Sequence, residues 1–103
     1  MKYRVVFAPS FVMDVRNQLA FMTDQAVAAV VVQKWFGSLY RLLDALEEMP
    51  KRYPVDRIQT VLVGRETRKI VFGDYLVFYQ VDESRRQVDL VTFIHGARRR
   101  EAN

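Results

Sequence analysis

The chain has 103 residues, 50% of them hydrophobic, with no cysteine, a single histidine and a net charge of +4. That length makes one domain, spanning 1–103, with enough chain to bury a core unaided. The missing cysteines exclude disulfides and thiolate metal sites, and the lone His95 excludes a histidine metal cluster, so no cofactor or metal is expected.

Lys2 to Ala8 reads as a strand, ended by Pro9-Ser10. Ser10 is the expected N-cap of a first helix whose apolar stripe is Val12, Val15, Leu19 and Met22. Thr23-Asp24 reads as the cap of a second helix running from about Gln25 to Glu48, roughly 36 Å long, with Val27, Val30, Val31, Trp35, Leu39, Leu42, Leu43 and Leu46 on one stripe. Gly37-Ser38 interrupts it and predicts a bend or a close backbone approach, and Pro50 stops it. The two helices form an antiparallel hairpin. Lys51 to Arg65 is the least readable part: Tyr53-Pro54 marks an extended link, and Thr60-Val61-Leu62-Val63 reads as a short strand or an edge extension of the next one.

The rest of the chain serves the stretch Arg68 to Arg100, three short strands separated by Gly-Asp and Asp-Glu-Ser breaks. With Gly73-Asp74 as the central pair of a hairpin turn, Phe72 faces Tyr75, Ile70 faces Val77 and Arg68 faces Tyr79. Both surfaces of this hairpin are then largely apolar, so both need cover: the helices on one side, the C-terminal tail or a second protein on the other. The fold class is α+β: a strand, a helical hairpin, then a three- to four-stranded antiparallel sheet.

Charge divides unevenly. Residues 1–50 are neutral overall, and residues 51–103 carry the whole excess of +4, a mild field suited to a polyanion, an acidic partner or plain solvation. Basic and aromatic groups gather on the sheet: Arg68, Lys69, Tyr75, Tyr79, Arg85, Arg86, His95, Arg98, Arg99 and Arg100. Arg68 beside Tyr79 would either grip an RNA backbone or base, or cap the end of the sheet. His95 would either act as a general acid or base, or hydrogen-bond its turn, while Arg98 to Arg100 would neutralise phosphates or lie solvated. Tyr75 and Tyr79 read first as core. No nucleotide, metalloprotease or serine-hydrolase motif is present. Neither an export signal nor a span long enough for a bilayer is visible, which gives a cytoplasmic expectation.

The order of LLDALEEMP, TRKIVFGDYLVFYQVD and VDLVTFIHGARR resembles the RelE/ParE superfamily of toxins from bacterial type II toxin-antitoxin systems, over nearly the full length. The resemblance implies a cytoplasmic toxin neutralised by a cognate antitoxin, with operator DNA reached only through that antitoxin. It also implies one of two activities. ParE-like members bind and inhibit DNA gyrase; RelE-like members cleave mRNA on the ribosome. For a nuclease, Arg68, His95 and Arg98 are the catalytic candidates; for target binding, Arg68, Tyr79, Arg98 and Arg99. No tyrosine follows His95, so a RelE-type site is incomplete, and the helical hairpin with the HGARR ending looks closer to ParE. A non-toxic binding module of the same fold is the remaining alternative.

Overall fold

A computed structural model describes residues 2–96. The chain runs β1 (Arg4–Phe7), α1 (Pro9–Asp24), α2 (Ala29–Asp44), a 3-10 turn (Ala45–Glu47), α3 (Arg57–Val63), β2 (Arg68–Phe72), β3 (Tyr75–Asp82) and β4 (Gln87–His95). The strands form one sheet in the order β1-β4-β3-β2. The α+β expectation holds, with one difference: β1 pairs with β4 in parallel, while the other two pairings are antiparallel. The long apolar strands β3 and β4 take the middle, leaving short β1 and β2 as edges.

The hairpin register is as expected, Arg68 opposite Tyr79, Ile70 opposite Val77 and Phe72 opposite Tyr75, with Gly73 in the left-handed region at φ 57°. Between β3 and β4 the register shifts after Phe78, so Val91 falls between the partners of Phe78 and Tyr79. Ser10 donates its hydroxyl to the Val91 carbonyl at 3.1 Å. It is therefore a clamp from α1 onto the bulged strand rather than the N-cap; Ala8 caps the helix and Pro9 opens it.

One face of the sheet carries the core. Ile70, Val77, Tyr79, Val88, Leu90 and Phe93 pack against Phe11 and Val15 of α1 and Leu39, Leu43 and Leu46 beyond it. The buried stripe of α1 is thus Phe11–Val15, with Val12 turned outward. The second helix differs more from expectation. Gln25–Ala28 belong to the joint, Ala26 taking φ 57°, so α2 is only 16 residues, about 24 Å at ~1.5 Å per residue, and Val27, Val30 and Val31 are exposed. Gly37 is not a close-packing point: a Cβ there would meet nothing nearer than the Arg41 guanidinium at 3.5 Å. Thr60 to Val63 is helix, not strand. Asp56 accepts from the Gln59 amide at 2.9 Å to start it, and Gly64, at φ 79°, ends it.

Candidate functional site

Arg68 opens β2, and its side chain turns inward beneath residues 49–56. Its Nη1 donates to the Tyr53 carbonyl at 2.6 Å and to the Lys51 carbonyl at 3.3 Å, and Nη2 pairs with Glu66 at 3.3 Å. Only 14% of the side chain is exposed, and Nε is buried without a partner. A guanidinium bound to two main-chain carbonyls is a strut for the link rather than an open phosphate grip. Tyr79, facing it, is 0% exposed and donates its hydroxyl to the Pro50 carbonyl at 2.6 Å, with the Tyr53 ring edge-on at 6.5 Å. Burial pushes the Tyr79 phenol up to about 12, against the lowering pull of Arg68. Tyr79 is a core residue, which corrects its expected place among the target-binding groups: a side chain with no exposed surface has none to present to a partner.

His95 lies at the other end of the sheet. It pairs with Tyr75, and the imidazole meets the Tyr75 ring edge-on at 5.3 Å. Tyr75 stacks on Phe93 at 5.0 Å and meets the edge of Trp35 from α2, so the end of β4 is held by an aromatic cluster. Gly96 donates its amide to the Asp74 carbonyl at 2.8 Å, tying the end of β4 to the β2–β3 turn. Beside His95, a groove of about 560 Å³ opens between α1 and β4, lined by Asp14, Asn17, Gln18, Phe21, Tyr75 and His95. Arg98, Arg99 and Arg100 follow directly in sequence and lie outside the described residues.

The structure does not bring Arg68 and His95 together. They pair with Tyr79 and Tyr75, four residues apart along β3, or about 13 Å at ~3.3 Å per residue. The other basic groups are also spread. Lys69 pairs with Asp56 at 3.4 Å, and Arg86, in the β3–β4 turn at φ 47°, sits over the Tyr3 ring at 5.5 Å. Tyr3 in turn donates to Glu83 at 2.6 Å, and Lys51 pairs with Glu83 at 2.9 Å. These two hydrogen bonds hold the Glu83 carboxyl below its ordinary value, and Glu83 raises both Tyr3 and Lys51.

A second groove, about 290 Å³ and almost wholly apolar, runs between α1 and α2, where Phe7, Val12, Leu19, Phe36, Tyr40 and Leu43 line it. Phe36 and Tyr40 were not among the candidate residues. The signal was their position one step off the buried stripe of α2, which gives that helix a second, outward apolar flank. Among the described residues no group of three or more His, Cys, Asp or Glu is placed to hold a metal ion, and no helix is long and apolar enough to cross a membrane.

A family model described as the ParE toxin of the type II toxin-antitoxin system parDE matches residues 5–100. Among curated proteins no match is found. Among solved structures, a chain of the RelBE2 toxin-antitoxin complex from Mycobacterium tuberculosis aligns with a TM-score of 0.54 and 22% identity, over 92% of this chain and 99% of that one. That likeness speaks to the fold.

Proposed function

Because the chain belongs to the ParE toxin family of type II toxin-antitoxin systems, we propose that it acts by binding and inhibiting DNA gyrase, and that a cognate antitoxin holds it inactive. The observation that carries the gyrase reading is the separation of Arg68 from His95. Phosphoryl transfer needs a proton-transfer group and a charge-stabilising cation at one phosphate, within about 3 Å of the reacting atoms. Here the two lie about 13 Å apart along the sheet, and Arg68 is occupied by carbonyls. A binding toxin has no such requirement. In this reading His95, with Arg98 and Arg99 after it, forms the target-facing end, and Arg68 positions the 49–56 link. Gyrase as target places the toxin in the cytoplasm, and operator DNA is met only through the antitoxin. The antitoxin fills the apolar groove between α1 and α2, which the chain leaves open to water.

One observation favours a second reading. Asp14 and His95 line the same groove, so a carboxylate and an imidazole face one space, which suits an mRNA interferase using His95 and Arg98. Induction of the chain without its antitoxin decides between the two. Loss of negative supercoiling with double-strand breaks is the expected result; cuts at fixed codon positions in translated mRNA would replace gyrase with the ribosome. Absence of any growth defect would leave a non-toxic binding module.

A further inference from the structure

α3 is inside out. Its apolar residues at helical spacing, Ile58, Val61 and Leu62, are 53%, 80% and 69% exposed, whereas the polar Thr60 points inward. There the Thr60 hydroxyl accepts from the Thr67 amide at 3.0 Å and donates to the Thr67 carbonyl at 3.3 Å. A seven-residue helix held by its caps and one threonine gains nothing from an aliphatic ridge in water. On the edge strand β2, Val71 is exposed as well, at 64%.

The charge around the ridge identifies what covers it. Residues 55–71 hold four basic side chains against two acidic ones, and the acids are taken: Glu66 pairs with Arg68, and Asp56 with Lys69. Arg57, one turn before Val61 on the helix surface, flanks the ridge, and Arg65 at its end keeps 45% of its side chain exposed while donating to Gln80 at 2.9 Å and pairing with Asp89 at 3.8 Å. A second copy of the chain is a poor occupant, because a two-fold contact would bring the basic flanks of both ridges into one interface while Glu66 and Asp56 are already paired. Nucleic acid is also a poor one, since Ile, Val and Leu offer no surface on which bases stack.

We propose that the α3 ridge is a docking site for an acidic amphipathic segment of the antitoxin, its apolar side chains seated on Ile58, Val61 and Leu62 and its carboxylates on Arg57 and Arg65. This rests on the reading of the chain as a toxin held by an antitoxin, and not on which cellular target it attacks. The contact lies apart from the groove between α1 and α2, so the antitoxin grips the toxin at two places.

The test uses the full-length toxin and the protein encoded in the adjoining reading frame, measuring the affinity of the complex by calorimetry and, separately, the toxicity of each variant induced alone. The expected result is that Val61→Ser with Leu62→Ser weakens the complex about tenfold or more, as loss of a central apolar anchor does. Arg57→Glu is expected to weaken it too and to reduce its salt sensitivity. Toxicity alone is unchanged in both. These side chains are exposed, so the melting midpoints stay near that of the parent and a folding defect is separable. Affinity within twofold of the parent for both variants would overturn the proposal. So would lost toxicity with unchanged antitoxin affinity, which would assign the ridge to the target. Failure of the parent itself to bind the adjoining product would remove the antitoxin reading along with the ridge.

Discussion

Replacing Tyr79 by Phe separates a core tyrosine from a target-binding one. The hydroxyl makes one buried bond, 2.6 Å to the Pro50 carbonyl, and Pro50 is itself buried. Losing the bond removes about 1 kcal/mol, and a stranded buried carbonyl costs a further ~1 kcal/mol or more, so the variant is destabilised by about 2 kcal/mol. With an unfolding entropy of about 0.2 kcal/mol per kelvin for ~100 residues, the melting midpoint falls by about 9 °C. The alkaline limb supplies an independent sign. The folded-state pKa, about 12, is above the ordinary 10.0, so the neutral phenol's contribution is complete below pH 10 and lost as pH rises toward 12. That loss is on the order of 2 to 3 kcal/mol for a shift of about two units, and the Phe variant lacks it. Chemical denaturation from pH 7 upward measures both effects, and induction well below the midpoint measures toxicity per folded molecule, expected unchanged. A midpoint within about 2 °C of the parent, together with lost toxicity, would refute the assignment of Tyr79 to the core.

Other substitutions read the rest of the fold. Arg68→Met releases the Tyr53 and Lys51 carbonyls and is expected to raise tryptic cleavage after Lys51 and Arg52 several-fold; unchanged cleavage would mean that Arg68 does not hold the link. Gly37→Ala, in mid-helix with only a 3.5 Å contact to meet, is expected to stabilise the chain by about 0.5 to 1 kcal/mol, seen as a midpoint a few degrees higher; a lower midpoint would show hidden crowding on α2. Glu83→Gln removes a carboxyl held below its ordinary 4.5, whose contribution is present above that value and lost as pH falls through the lower folded one. Its stability is therefore expected to depend less on pH on the acid side than the parent's.

How far the sequence could be read depended on whether local chemistry and tertiary packing agreed. Gly73-Asp74 needed a positive φ at Gly73, and that one requirement aligned five residue pairs of the hairpin correctly. The core face followed from alternation, since Ile70, Val77 and Tyr79 lie on it together. At Thr60 to Val63 the two signals conflicted. β-branched residues favour a strand, but Asp56 three residues before Gln59, and Gly64 just past Val63, are the start and stop of a helix, and those end signals were the ones to weigh. The joint at Gln25–Ala28 carried no punctuation at all, because Ala26 adopts φ 57° without being glycine or asparagine.

The candidate site divides along the same line. A pairing register says which residues are neighbours, and Arg68 beside Tyr79 was correctly placed; it does not say on which side of the backbone a long side chain finds its partners. The loop carbonyls of Lys51 and Tyr53, from a segment with no readable pattern, decided that Arg68 turns inward. The same segment then folds into α3, whose Ile58, Val61 and Leu62 face outward. Periodicity reads the face that a helix buries on its own chain, and α3 turns its apolar residues away from that face, so the pattern gave no sign of a helix there.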